Sequence, residues 1–168
     1  MTITIRPAKA ADLPALYPLV ERAYRGEDAR RGWTHEADLL SDRRTQPGEL
    51  EGIVTDPRQA LLILDEGAAP LGCVRVADLG HGLAYLGLLC VEPSRQGEQL
   101  GRRMIEAAER YASDVLACNT IEMTVIEQRH ELIAYYERRG WRPTGERRDF
   151  PVPLDPPLFM RVLAKSLA

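Results

Sequence analysis

Residues 88–105 decide the fold of this chain, and they read Leu88-Leu89-Cys90-Val91-Glu92-Pro93-Ser94-Arg95-Gln96-Gly97-Glu98-Gln99-Leu100-Gly101-Arg102-Arg103-Met104-Ile105. The apolar first part predicts a strand, which ends at Pro93. A polar turn follows, and an amphipathic helix begins directly after it. This order brings unpaired backbone N–H groups together at the positive end of a helix dipole, where a phosphate group binds favourably.

The residue types in the turn fit a phosphate site. Gly97 and Gly101 carry no side chain that would keep a bulky anion away from the backbone. Arg95, Arg102 and Arg103 add positive charge around the same turn.

The surroundings of the turn exclude two common nucleotide sites. A triphosphate-binding loop needs a Lys followed by Ser or Thr after its glycines, and this turn has neither. A dinucleotide-binding turn lies near the start of a βαβ unit. This turn lies past mid-chain, after three strands that we predict to be antiparallel.

The segment resembles the pyrophosphate-binding segment of the GNAT superfamily of N-acetyltransferases. The pattern of that family is a strand ending in Val-x-Pro, followed by Gln/Arg-x-x-Gly-x-Gly/Ala. Gln96, Gln99 and Gly101 fall on the three signature positions, and Gln99 stands where a glycine is usual. The Cβ atom of Gln99 narrows the approach to a pyrophosphate.

A second block at a suitable distance is also similar to this family. Residues 121–126 alternate in polarity and predict a strand. Residues 131–141 then resemble the family helix and turn written Leu-Tyr-Glu-Lys-x-Gly-Phe, with Tyr136 as the tyrosine, Gly140 as the helix C-cap and Trp141 as the aromatic. We therefore identify the chain as a member of the GNAT superfamily.

Composition bounds the class of protein. The 168 residues carry a net charge of −3, which disfavours a nucleic-acid partner. No apolar run reaches the length of a membrane span and no signal peptide precedes the first strand, so we expect a protein of the cytoplasm without membrane contact. The three cysteines lack CxxC spacing and are expected as free thiols, and three scattered histidines suggest no metal site.

Hydrophobic periodicity predicts the order βααβββαβαββ in a single domain over residues 1–168. The first helix buries Leu13, Leu16, Tyr17, Val20 and Tyr24, and a short helix is expected at Glu36–Leu40. The helix after the turn should bury one apolar face made of Leu100, Met104, Ala107 or Ala108, Tyr111 and Val115. Strands are predicted at residues 2–6, 59–65, 71–78, 83–91 and 121–126, and residues 143–146 and 158–163 fit the last two strands of the fold that the resemblance implies.

The resemblance implies an α/β fold with a mixed, mostly antiparallel central sheet of about seven strands and helices on both faces. It also implies acetyl-CoA as co-substrate, lying where the strands that end at Val91 and Ile126 part. The backbone of Leu89, Cys90 and Val91 would pair with the pantetheine. The expected pyrophosphate ligands are Gln96, Gly97, Glu98, Gln99, Leu100, Gly101 and Arg102, and Arg129 could reach a phosphate or the substrate.

Tyr136 is the predicted general acid, and it would protonate the departing thiolate. Tyr135 lies about 100° around the same helix, so both tyrosines cannot point into one gap. A family member can carry a base glutamate six residues before the strand-end valine, where this chain has Tyr85. Glu92, Glu122 or a chain of waters remain as candidate bases.

The acceptor is expected to be a small-molecule amine, and Trp33, Glu36 or Asp38, and Arg43 are its candidate ligands. The same segment also fits an ordinary surface loop. The favoured function is acetyl transfer from acetyl-CoA to a primary amine by direct attack. Two alternatives remain open, a non-catalytic acyl-CoA-binding module and acetylation of a protein N-terminus, and the chain is compatible with a homodimer.

Overall fold

A single mixed sheet organises the chain, whose computed structural model describes residues 2–24, 45–67, 69–95, 97–151 and 154–168. Its seven strands have the order β1-β2-β3-β4-β5-β7-β6, in which only β4 and β5 are parallel. The strands are β1 (Thr4–Pro7), β2 (Gln59–Asp65), β3 (Pro70–Gly80), β4 (Leu83–Val91), β5 (Thr120–Ile126), β6 (Arg142–Asp149) and β7 (Phe159–Ser166). The predicted fold class is confirmed.

Helices cover both faces of the sheet. They are α1 (Leu13–Tyr24), α2 (Glu49–Thr55), α3 (Leu100–Asp114) and α4 (His130–Arg138). The first two helices bury one hydrophobic core and the last two bury a second core on the opposite face. None of the helices in the described ranges is long and apolar enough to cross a bilayer.

Burial on both faces explains the sequence of β2. Leu61 and Ile63 enter the core under α1 and α2, and Leu62 and Leu64 enter the core under α3. A strand that is covered on both sides has no solvent face, so its apolar run is continuous and does not alternate with polar residues.

The apolar stripe predicted for α3 is present except at its end. Leu100, Met104 and Ala108 are buried against the sheet, and Tyr111 is partly buried. Val115, predicted on the same stripe, follows the last helical residue and is 60% exposed. That part of the prediction was wrong because the helix ends one residue earlier.

The structure contains a helix, α2, that was not predicted from the sequence. The expected helix at Glu36–Leu40 lies outside the described residues, whereas α2 was not predicted. Its seven residues bury only Leu50 and Ile53 and contain Gly52, so its periodicity is too weak to recognise in sequence. The last two strands extend beyond the predicted 143–146 and 158–163.

The stability of the fold at low pH should depend on the Asp12 carboxylate, which links β1 to the start of α1. Both terminal nitrogens of Arg6 donate to Asp12, at 2.9 and 3.0 Å, and the Lys9 backbone N–H donates at 2.8 Å. These bonds lower the pKa of Asp12 to about 2, and those from Arg6 have the largest effect. The stabilisation is present above the unfolded-state pKa near 4 and is lost as the pH falls towards 2.

Asp12→Asn should therefore lower the free energy of unfolding by about 1 kcal/mol at neutral pH, after allowance for solvent screening. The deficit should shrink below pH 4, and urea unfolding at several pH values measures it. Asp114→Asn, on the exposed end of α3, is the matched control. A deficit that stays constant down to pH 2 would contradict the assignment.

Candidate active site

The parallel strands β4 and β5 part soon after they begin to pair. Their register covers Leu83 with Thr120, Ala84 with Ile121 and Tyr85 with Glu122, and stops there. Strand β5 continues to pair with β7 up to Ile126, and β4 continues to pair with β3 up to Val91. No strand of the described residues therefore pairs with the β5-facing edge of residues 86–91, which leaves main-chain groups available to an extended ligand.

A β-bulge in β4 reverses the direction of its side chains beside this opening. Leu88 has φ +50°, and the register with β3 shifts at the same place. Leu86 belongs to the core under α3, whereas Leu88 and Cys90 belong to the core under α1 and α2. The bulge thus turns Leu89 and Val91 towards the α3 side.

The predicted pantetheine-pairing residues lie at this opening, with one carbonyl already engaged. The Tyr24 hydroxyl donates a hydrogen bond to the carbonyl oxygen of Leu89. The carbonyl retains a second lone pair, so the bond restricts but does not abolish ligand pairing. Beyond Val91 the Glu92 N–H donates to the Leu71 carbonyl at 2.7 Å, which ties the strand end to β3.

The turn between β4 and α3 contains two residues in the left-handed backbone conformation. Gly97 has φ +94°, and Gln99, the N-cap of α3, is left-handed at φ +61°. A left-handed residue at the cap explains why a glycine is usual at position 99, since Cβ disfavours this region. Glu98, Leu100, Gly101 and Arg102 surround the N-terminus of α3, while Gln96 lies outside the described residues.

The positive charge that the sequence suggested at this turn is smaller than expected. Arg95 donates to Glu66 at 2.7 Å and to Glu98 at 2.6 Å. The hydrogen bond to Glu98 has the largest effect and the one to Glu66 the next largest, and together they raise the pKa of Arg95. The same bonds lower the pKa of both carboxyl groups. Arg95 therefore fixes the turn and supplies no free charge, and Arg102 forms a 3.2 Å pair with Glu106.

Tyr136 lies on the inner side of α4, where its ring contacts Tyr135 at 5.6 Å and Trp141 at 6.4 Å between centroids. It is 5% exposed, whereas Tyr135 is partly buried beneath the Arg139 guanidinium. Burial raises the pKa of Tyr136, and the positive charge of Arg129 opposes that rise. The hydroxyl therefore stays protonated at neutral pH, as a proton donor must.

Both carboxylates that the sequence offered as bases lie in ion pairs. Glu92 accepts from Arg22 at 2.7 Å, and the buried Glu122 accepts from Arg148 at 2.8 Å. Each carboxylate already binds an arginine guanidinium, so neither arrangement favours the base role. At Tyr85 the hydroxyl lies 2.9 Å from Thr124 Oγ1 across the two parting strands.

The substrate residues Trp33, Glu36 and Arg43 lie outside the described residues. The part of the chain that is described holds no group of three or more His, Cys, Asp or Glu side chains arranged for a metal ion. A cavity of about 450 Å³ on the α2 side of the sheet includes Tyr85, Gly87 and Arg75. Arg75 was not predicted as a site residue, because strand register sets its neighbours.

The sequence profile described as "Acetyltransferase (GNAT) family" matches residues 13–141, which include β4, the glycine turn, α3 and α4. The chain belongs to the GNAT acetyltransferase family. The acyl donor of that family is acetyl-CoA, and the unpaired edge of β4 and the N-terminus of α3 fit such a group. No protein with a curated description matches the sequence.

Solved GNAT structures share the whole fold at low sequence identity. The ribosomal-protein-S18-alanine N-acetyltransferase from Escherichia coli superposes with a TM-score of 0.73 at 18% identity, over 99% of this chain and 95% of that one. A putative acetyltransferase from Salmonella typhimurium with its cofactor acetyl-CoA gives 0.75 at 18%, over 100% and 95%. A spermidine N-acetyltransferase chimera from Vibrio cholerae gives 0.75 at 16%, over 99% and 96%.

Proposed function

We propose that this GNAT acetyltransferase transfers the acetyl group of acetyl-CoA to a primary amine of a small molecule, by direct attack in a ternary complex. The observation that carries the proposal is the early parting of β4 and β5 next to a glycine turn that opens α3. The unpaired strand edge can hold an extended thioester arm, and the helix N-terminus can hold a diphosphate.

In this reaction the amine nitrogen attacks the acyl carbon, the carbon–sulfur bond breaks, and the thiolate takes up a proton as the nitrogen loses one. The residues of the chain contribute mainly by positioning the two reactants. Cys90 is not expected to form an acyl-enzyme. Its side chain is buried in the core under α1 and α2, 3.5 Å from Cys73 Sγ.

Tyr136 is the proposed proton donor to the thiolate. A free thiol has a pKa near 8.5 and a free tyrosine near 10, so the transfer is uphill in water. In a buried gap desolvation raises the pKa of the tyrosine and of the thiol alike, so burial alone does not reverse this order. Arg129 opposes the rise at Tyr136, because its positive charge makes the Tyr136 hydroxyl more acidic.

The amine must lose a proton before it attacks, which costs about 4 kcal/mol at neutral pH for an alkyl amine. Because Glu92 and Glu122 are both paired to arginines, we propose that this proton passes to water that connects the site with bulk solvent. The Tyr85–Thr124 hydroxyl pair lies where such water could enter between the strands.

The paired carboxylates also favour a second candidate, a domain that binds acyl-CoA without turnover. A thiol-release assay separates the two. The proposed enzyme should release CoA thiol from acetyl-CoA when a suitable amine from a panel of amino acids, polyamines, aminoglycosides and peptide N-termini is added. Binding of CoA by calorimetry with no amine-dependent release would contradict the enzymatic proposal, and release with peptide N-termini alone would point to a protein acceptor.

We propose that the protein acts in the cytoplasm. None of the three cysteines, all of which lie within the described ranges, forms a disulfide bond, which supports a reducing compartment.

A further inference from the structure

The cavity on the α2 side of the sheet opens where the two parallel strands part. Tyr85, the last residue of β4 that pairs with β5, forms one wall, and Gly87 follows two residues later. The volume of about 450 Å³ lies in the range of small-molecule sites. An acceptor in this cavity would thus lie beside the proposed point of acyl transfer.

A chain of side-chain hydrogen bonds holds Arg75 in the cavity wall. Asp56 accepts from the Gln59 amide nitrogen at 3.1 Å, which directs the amide oxygen of Gln59 towards Arg75. Arg75 Nε donates to that oxygen at 2.7 Å, and its guanidinium carbon lies 5.7 Å from the centre of the Tyr85 ring. The guanidinium is therefore oriented before any ligand arrives.

Arg75 differs from three other arginines of this region in having no carboxylate partner within the described ranges. Arg95, Arg148 and Arg22 each pair with a carboxylate, whereas no carboxylate pairs with Arg75 among the residues described. Among the described residues, neither terminal nitrogen of Arg75 has a hydrogen-bond partner. Two terminal nitrogens of an oriented guanidinium form a fork that matches a carboxylate.

A glycine lies next to Arg75 in the lining of the cavity, because Gly87 on β4 is the register partner of Arg75 on β3. A Cβ atom at Gly87 would lie 2.9 Å from Tyr85 Cε1, so the ring occupies the space that a side chain at residue 87 would fill. The Tyr85 hydroxyl reaches Thr124 on β5 at 2.9 Å. A ligand bound to Arg75 therefore lies along the Tyr85 ring, which leads from the guanidinium to the gap between the strands.

We infer that Arg75 binds a carboxylate of the amine acceptor, so that the acceptor class is amino acids and similar amines that carry a carboxylate. This inference rests on the proposed function and names the substrate class of that site. Glu49 also lines the cavity, but its carboxylate accepts the Gln46 N–H at 3.1 Å as part of the start of α2. A polyamine, which has no carboxylate, would meet the charge of Arg75 unfavourably.

The test compares matched acceptors in the thiol-release assay. Each L-amino acid is paired with its amide, which keeps the amine and side chain but removes the negative charge. The acids should have the lower KM, and Arg75→Gln should raise that KM about 10- to 100-fold with little change in kcat. The amides should be unaffected by Arg75→Gln, Arg75→Lys should restore part of the affinity, and Arg110→Gln on the exposed side of α3 should change nothing.

The outcomes separate this inference from the proposed function. Thiol release with amides or polyamines that matches release with acids, and an equal effect of Arg75→Gln on all of them, would overturn the carboxylate site and leave the enzyme standing. If no amine is turned over, the function fails, and calorimetry of L-amino acids with the CoA-loaded protein decides. Binding lost in Arg75→Gln then supports the site, and no binding overturns it.

Folding of the variants is checked by thermal unfolding and by CoA affinity, both of which should match the unmodified protein. Should Arg75→Gln fail to fold, Gln59→Leu removes the bond that orients the guanidinium and leaves its charge. That variant should raise the KM of the acids by a smaller factor and leave the amides unchanged. An equal KM for acids before and after this change, together with no effect of Arg75→Lys, would overturn the inference.

Discussion

Tyr136→Phe should lower kcat by about 100-fold or more while the affinity for CoA stays within about twofold. The substitution removes only the hydroxyl, and the ring contacts with Tyr135 and Trp141 remain. Loss of the proton donor leaves the thiolate to depart unprotonated from a buried gap, where burial makes an anion costly. Steady-state kinetics with an accepted amine and calorimetry with CoA measure the two quantities.

Tyr135→Phe is the matched control, because it deletes the same atom one residue earlier on α4. The variant should retain most of the activity, since Tyr135 is only partly buried and its ring lies under the Arg139 guanidinium. A large loss in Tyr135→Phe with normal turnover in Tyr136→Phe would exchange the two roles. Normal turnover in both variants would remove tyrosine from the acid step.

Gly101→Glu should weaken CoA binding by about 100-fold. Residue 101 lies in the first turn of α3, and among the described residues a Cβ atom there would meet only Val91 Cγ2, at 3.8 Å. The described residues therefore leave room for a Cβ atom, and the expected cost falls on the ligand. A carboxylate at a helix N-terminus repels a diphosphate and competes for the same N–H groups.

Gly101→Gln separates the charge of the new side chain from its size. It should cost less affinity than Gly101→Glu, and the difference between the two should shrink in high salt. Calorimetric titration with CoA measures both variants, after thermal unfolding has shown that each is folded. Unchanged CoA affinity in Gly101→Glu would place the diphosphate away from α3.

The parts of the site that follow from local sequence could be predicted. The run from Leu88 to Ile105 contains a strand, a left-handed turn and an amphipathic stripe, and each is fixed by neighbours within a few residues. The same holds for α4, where Tyr136 and the glycine after the helix lie within one amphipathic segment. Local patterns of this kind need no knowledge of tertiary contacts.

The pairings that change the chemistry could not be predicted, because strand register sets them. Arg148 on β6 reaches Glu122 on β5 across the intervening β7, and Arg75 meets Gln59 through the pairing of β3 with β2. Arg95, which the sequence suggested as free charge at the turn, meets Glu66 from the end of β2 in the same way. Helix α2 was missed for a different reason, since two apolar residues make no recognisable period.

A small residue beside the end of β4 determines how closely β3 and β4 approach each other. A Cβ atom at Gly72 on β3 would lie 2.8 Å from the carbonyl oxygen of Cys90, a backbone atom that can move only with its strand. Any larger residue at this position would push the end of β4 away from β3, and β5 is its neighbour on the other side. The opening proposed for a thioester therefore depends on the absence of a methyl group in a neighbouring strand.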